Sequence, residues 1–187
     1  MSKVSYLKGA NMKVMNFMGF TFSALLALSM SSVVMASCSS EYDEVMNDSE
    51  DRGREKSEQL IRYINNKDAS GIKAMFSQRN RSEGQNLDAK IEMLIDAFPS
   101  GITEYEISPY VGGSSGFDSG SVEFNEESAR IFMPRMGLSS GDEDKLIIIE
   151  YTHINHNHPN QVGVNMIYYS NNQDGTELQI GSRWSSR

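Results

Sequence analysis

Three histidines are the residues in this 187-residue chain best suited to hold a metal, and they are the only ones it has: His153, His156 and His158 in Tyr-Thr-His-Ile-Asn-His-Asn-His-Pro. In an extended chain alternate side chains share a face, so His156 and His158 converge while His153 points away. Two imidazoles and a carboxylate are a donor set for zinc, nickel or copper. The spacing fixes no third ligand, and the plainer reading is a polar hairpin end. Gly112-Gly113-Ser114-Ser115-Gly116 has the pattern of a nucleophile elbow with Ser114 in the serine position and His153 downstream. An elbow needs a strand before the serine and a helix directly after it. Here the glycines run on into Phe117-Asp118-Ser119-Gly120, which reads as a flexible loop, so serine catalysis is not expected. Asp142-Glu143-Asp144 lacks the spaced ligands and central glycine of a calcium loop. It reads as a solvated turn.

Two further sets remain. Glu104, Glu106 and Glu150 are carboxylates that could serve as a general base in a cleft, and a buried carboxylate facing a tyrosine would favour that chemistry. Tyr105, Tyr151, Tyr168 and Trp184, with Tyr169 beside them, combine apolar area with one polar group and suit the mouth of a binding cleft. Each also fits ordinary cross-strand packing. No phosphate-cradling Gly-Lys-Ser/Thr loop and no cysteine-based metal site occurs in the sequence, so no cofactor is expected.

The single cysteine has a different chemistry. Lys3, Lys8 and Lys13, with no acid among them, precede an uncharged apolar run from Val14 to Ala36 that ends in Met35-Ala36-Ser37-Cys38. A basic start, an apolar middle and small residues before a cut are the parts of an export signal. The last four residues resemble the bacterial lipobox, in which the cysteine receives a diacylglycerol; Met35 stands where leucine is usual. An ordinary secretory signal cut near Ala36 is one alternative; a permanent membrane-spanning anchor, for which roughly 20 apolar residues suffice, is another, weakened by Asn16, Ser29, Ser31 and Ser32. Exported proteins favour paired cysteines, and lipidation explains a lone one. Two or three acyl chains on Cys38 suffice for stable anchoring in the cell membrane or outer membrane, facing the periplasm or the cell exterior.

The whole chain carries 17 basic and 25 acidic side chains, a formal charge of −8. Cleavage before Cys38 removes three lysines and no acid, leaving 14 basic against 25 acidic, or −11. So acidic a surface repels phosphate backbones and anionic headgroups, which excludes nucleic acid as a partner and leaves membrane attachment to the lipid.

These groups must be positioned by one domain. We expect residues 1–37 to be the signal peptide, 38–51 an acidic flexible tether and 52–187 a single α+β domain. The acids directly after Cys38 (Glu41, Asp43, Glu44) also resemble a surface-export signal of bacterial lipoproteins. A first helix is predicted from about Glu50 to Asn65, with its first turn weakened by Gly53. A short second helix is predicted with Asp68 as its cap and Ile72, Met75 and Phe76 on one face. Residues from Asn80 to Asn86 read as a polar loop. A third helix follows from Leu87 to Phe98, where Leu87, Ile91, Leu94, Ile95 and Phe98 form one stripe ended by Pro99-Ser100-Gly101.

Beyond Gly101 the pattern alternates. Strands are predicted at Ile102 to Tyr110, Val122 to Phe124, Ala129 to Arg135, Lys145 to Asn155, Val162 to Ser170 and Glu177 to Arg183. The run Leu146-Ile147-Ile148-Ile149 suggests a central strand covered on both faces, and Pro109 and Pro134 suit edges or ends. Helices first and strands afterwards give two to three helices packed on a curved antiparallel sheet of about five to six strands.

With that order of elements, Asn65-Asn66-Lys67-Asp68-Ala69-Ser70-Gly71-Ile72-Lys73-Ala74-Met75-Phe76-Ser77 resembles a family of bacterial lipoproteins known only as a domain of unknown function (family 5104 type). That family is similar in turn to cone-shaped nuclear transport factor 2-like and cystatin-like folds. The resemblance implies a curved sheet around N-terminal helices with a cleft between them, and it implies no activity. The expected role is a lipid-anchored, non-enzymatic module binding a small ligand or a protein. The alternatives are a small hydrolase or isomerase using a cleft carboxylate, and metal capture by the histidines.

Overall fold

The computed structural model of the protein describes residue 45 and residues 48–118, 121–134 and 143–182. Helix α1, Ser49–Asn65, begins within one residue of its predicted start. Its two halves pack differently. Ser49, Gly53 and Ser57, four residues apart, form a buried stripe of small side chains, and Leu60, Ile61 and Ile64 continue the same face as large apolar groups. Gly53 does not weaken the first turn, because it lets the helix touch the sheet. A Cβ there would sit 1.6 Å from the carbonyl oxygen of Pro109.

Helix α2, Ala69–Met75, starts at Asp68, whose side chain accepts a hydrogen bond from the Gly71 N–H at 2.8 Å. This is the predicted cap satisfying an otherwise orphaned donor. The segment read as a loop from Asn80 is instead largely helix α3, Gln78–Glu83. Its polar sequence hides one buried anchor. Asn80 is fully enclosed, donates to the Asn165 carbonyl at 3.0 Å, and accepts from the Ser182 N–H at 3.0 Å. Helix α4, Leu87–Asp96, buries Leu87, Ile91, Leu94 and Ile95 as the stripe predicted. At its C-terminal end the Lys67 ammonium reaches the carbonyls of Ile95 and Phe98, where a cation is favoured by the helix dipole.

Five strands follow: β1 Glu106–Asp118, β2 Ser121–Pro134, β3 Glu143–Asn155, β4 Gly163–Asn171 and β5 Thr176–Gly181. They form one antiparallel meander in sequence order, curled and unclosed, with β1 and β5 as its edges. The α+β class is therefore as expected. The predicted segment Val122 to Phe124 and residues 129–134 of the segment predicted from Ala129 are parts of the single strand β2, and Arg135 lies outside the described residues. The glycine-serine stretch expected to be a loop lies in β1, with Gly112 to Gly116 in register against Ser128 to Phe124. Sheet pairing overrides the weak strand preference of glycine when a neighbouring strand supplies the partners.

The core fills the space between helices and sheet. Ile131, Ile147, Ile149, Ile167 and Ile180 from the strands meet Leu60, Ile64, Ile72, Ile91 and Leu94 from the helices. Each such side chain contributes roughly 1.5–3 kcal/mol by leaving water. Strand β3 is central as predicted, but only its Ile147, Ile149 and Tyr151 face is buried; Leu146, Ile148 and Glu150 on the other face are half-buried. Both prolines sit where expected, Pro109 in an edge strand beside a register shift and Pro134 at a strand end.

Candidate functional site

A buried acid marks the part of the sheet nearest the start of α1. Glu127 on β2 is 4% exposed, faces the core, and stands directly across from Tyr151 on β3. The Tyr151 hydroxyl donates to Glu127 Oε2 at 2.7 Å. From α1, Arg52 grips the same carboxylate with two prongs, Nε to Oε2 at 3.2 Å and Nη2 to Oε1, while Nη2 also donates to the Val45 carbonyl. The stripe of small residues on α1 makes this possible, because it brings the helix close enough for an arginine one position before Gly53 to reach the sheet.

Electrostatics follow from that enclosure. Burial pushes the Tyr151 pKa far above the ordinary tyrosine value, and the hydrogen bond to Glu127 and its charge push the same way. Burial alone would lower the Arg52 pKa, but the hydrogen bond and charge of Glu127 outweigh it and raise it. With one oxygen held by Arg52 and the other by Arg52 and Tyr151, Glu127 has little capacity left to abstract a proton. It organises the site and holds α1 to the sheet.

Two open cavities border Glu127. One, of about 230 Å³, lies among Gly112, Gly113, Ser128, Glu150, Tyr151 and Asn165. The other, of about 380 Å³, lies among Ser49, Glu50, Tyr110, Ser115 and Asn125. Glu126, Glu127 and Gly113 border both. Of the β1 glycines, only Gly112 leaves open space, since a Cβ at Gly113 would strike the Glu126 carbonyl oxygen at 2.5 Å. Four carboxylates border the two cavities and no lysine or arginine does, with Glu127 already paired to Arg52 and Glu150 standing on the other face of β3 from Tyr151. Asn125 and Asn165 are 2% and 5% exposed, and their side-chain oxygens meet no hydrogen-bond donor among the described residues.

The predicted site residues do not assemble as a group. Tyr151 borders the cleft, whereas Tyr105 is 40% exposed ahead of β1. Tyr168 alternates with the buried Ile167 and Tyr169 and so lies on the other face of the sheet, where its hydroxyl bonds Glu177. Tyr169 packs in the core edge-on to Phe98, their centroids 5.3 Å apart. Trp184 and Cys38 lie outside the described residues. Of the three carboxylates proposed as bases, Glu104 and Glu106 are exposed and Glu150 borders the smaller cavity. The carboxylate that does face a tyrosine, Glu127, was missed. Its signal was available as an acid at an inward position in an alternating strand, with Ala129 and Ile131 two and four residues on.

His153, His156 and His158 are all exposed, and among the described residues no group of three or more His, Cys, Asp or Glu is placed to hold a metal. Ser114 is exposed in the middle of β1, not at a strand-to-helix turn. Asp142 lies outside the described residues, and Asp144 accepts from Gln173 Nε2 at 2.7 Å. No helix among the described residues is long and apolar enough to cross a membrane.

Residues 59–172, more than half of the chain, match one protein-family model, described as "Domain of unknown function (DUF5104)". The matched segment includes Glu127, Tyr151 and most of the cavity lining, and it begins after Arg52. No curated protein matches the chain.

Proposed function

We propose that this chain, which belongs to the DUF5104 family, is a lipid-anchored extracytoplasmic binding module whose cleft beside Glu127 takes a cationic, hydrogen-bond-donating group. The single observation that carries the ligand class is the cavity lining, which holds no lysine or arginine and two buried amide oxygens that meet no donor, beside carboxylates of which Glu127 is already paired with Arg52. Buried acceptors without partners cost about 1–3 kcal/mol each, and a donor-bearing ligand recovers that cost on binding. An ammonium or guanidinium supplies donors and the complementary charge together. A helical layer on a curved sheet is also the arrangement expected of nuclear transport factor 2-like folds, which suit a cleft of this kind.

The anchoring part of the proposal rests on the basic start, the apolar run and the Met35-Ala36-Ser37-Cys38 sequence. Mass spectrometry of the mature N-terminus tests it. A diacylated Cys38 is expected, and an unmodified Cys38 or cleavage elsewhere refutes it. Calorimetry on the full-length chain in detergent tests the ligand class, with blocked lysine and arginine against blocked glutamate at about 0.15 M salt, where long-range attraction to an acidic surface is screened. Saturable heat with the cations alone is expected. Equal response to glutamate, or no heat with either cation, ends the proposal.

A further inference from the structure

A third cavity, of about 490 Å³, shares no residue with the cleft beside Glu127 and has the opposite charge. Lys56 and Arg81 line it and no carboxylate does, in a chain whose formal charge is −8. Its walls are set by the fold. Lys56, Gln59 and Tyr63, three and four residues apart, share one face of α1. The Tyr63 ring packs over Gly71 of α2, where a Cβ would sit 2.4 Å from it. Another wall is the turn from Pro159 to Gly163, which the Ser77 N–H holds to the junction of α2 and α3 by donating to the Val164 carbonyl at 2.9 Å. Gly163 has a φ of +121°, and a Cβ there would lie 3.0 Å from the Ser77 nitrogen, so glycine is what permits the approach.

We infer that this groove binds a small organic acid, its carboxylate held by Lys56 and Arg81 and its apolar body laid against Ala74, Pro159 and Val162. The inference is independent of the cationic-ligand reading, since it concerns a separate cavity. Its support is a set of donors that the fold leaves unspent. Among the described residues Lys56 has no ion-pair partner, although it is half-buried. Arg81 gives one N–H to the Ala74 carbonyl at 3.1 Å, which steadies the guanidinium and leaves its other N–H groups to a ligand. Gln59 Nε2 donates to the Tyr63 hydroxyl at 3.3 Å, so the phenol accepts there and keeps its own proton to donate. One guanidinium fork and one ammonium match the two oxygens of a carboxylate. The apolar part has its own surface, because Val162 is 41% exposed at the rim and a ligand covering it removes that area from water. The acidic remainder of the chain opposes any anion at long range, but salt screens that repulsion beyond about 8 Å, whereas Lys56 and Arg81 act at contact.

Calorimetry on the full-length chain in detergent at about 0.15 M salt tests this, with N-acetylphenylalanine, its amide, acetate and phenyl phosphate as probes. Saturable binding of N-acetylphenylalanine is expected, with the uncharged amide at least about tenfold weaker, because it forfeits charge-assisted hydrogen bonds. Acetate, which lacks the apolar body, is expected to give no saturable heat. Lys56→Gln and Arg81→Gln should each weaken the acid by about tenfold or more. Lys73→Gln, which removes a lysine paired with Asp88 outside the groove, should leave its affinity unchanged. Thermal melts of Lys56→Gln should match wild type, since that side chain holds no partner, so a loss of binding there reports the site and not the fold. Any heat from blocked glutamate that the two groove variants abolish belongs to this groove and not to the cleft beside Glu127. The inference is overturned if the amide binds as well as the acid, if both groove variants bind like wild type, or if the acid gives no saturable heat. Phenyl phosphate binding tenfold tighter than the acid would make the head group a phosphate and overturn the assignment of a carboxylate.

Discussion

Replacing Arg52 should destabilise the protein more than replacing Glu127, although the two form one ion pair. The reason is what each replacement leaves behind. In Glu127→Leu the survivor is the Arg52 side chain, which is 14% exposed and keeps a hydrogen bond to the Val45 carbonyl. Water can reach it in part. In Arg52→Met the survivor is a carboxylate whose side chain is 2% exposed, held only by the Tyr151 hydroxyl. Breaking a buried pair from one side costs about 3–5 kcal/mol. We assign Glu127→Leu the lower end, about 3 kcal/mol, and Arg52→Met the upper, about 4–5 kcal/mol. With a urea m-value of about 2 kcal/mol/M, the denaturation midpoint moves down by about 1.5 M and about 2–2.5 M respectively, with slopes unchanged. The double variant Arg52→Met/Glu127→Leu leaves no orphan charge and should lie within about 2 kcal/mol of wild type, because replacing both members with apolar groups is often nearly neutral. The cycle therefore gives a coupling of several kcal/mol. The reasoning is refuted if Arg52→Met proves the milder single change, or if the two single costs simply add in the double variant.

Other outcomes follow from the same structure. Tyr151 has a pKa raised in the folded state, so it stays protonated where the unfolded chain ionises; stability is complete below about pH 10 and falls above it, by up to about 1.4 kcal/mol per pH unit, and Tyr151→Phe flattens that alkaline slope in denaturant titrations. Gly53→Ala would gain about 1 kcal/mol in an ordinary helix, yet a Cβ 1.6 Å from the Pro109 oxygen reverses the sign, and thermal melts should show a loss of several kcal/mol. Asn80→Ala strands the Asn165 carbonyl and the Ser182 amide, so a loss of about 2–4 kcal/mol is expected, with faster amide exchange at Ser182. A cost under about 1 kcal/mol would show that Asn80 does not anchor α3.

Periodicity alone placed α1, α2 and α4 and predicted a sheet after them, because a stripe at helical spacing or an alternating strand reports its buried face directly. It failed where local preference and tertiary context disagree. Residues 80–83 read as part of a polar loop from Asn80 to Asn86 because their single buried group is polar, and Asn80 is held only through Asn165 and Ser182, which lie 85 and 102 residues away. The glycines of β1 read as a loop because nothing local says that β2 will pair with them. The two prolines, by contrast, were placed correctly from a missing N–H alone.

The site divides in the same way. The sequence by itself determined an acidic chain, a lone cysteine at the end of an apolar run, and a helix-then-strand order, since charge, composition and period are properties of the chain. Only the tertiary structure decided that Arg52, Glu127 and Tyr151 meet, because the first pair lies 75 residues apart and depends on how closely a stripe of small residues lets α1 approach the sheet. It also separated Tyr105, Tyr151 and Tyr168, since the face a strand residue occupies depends on register and bulges that a single sequence does not encode locally. The cleft itself is a property of several elements together: its walls come from β1, β2, β3, β4 and the start of α1, which are far apart in the chain.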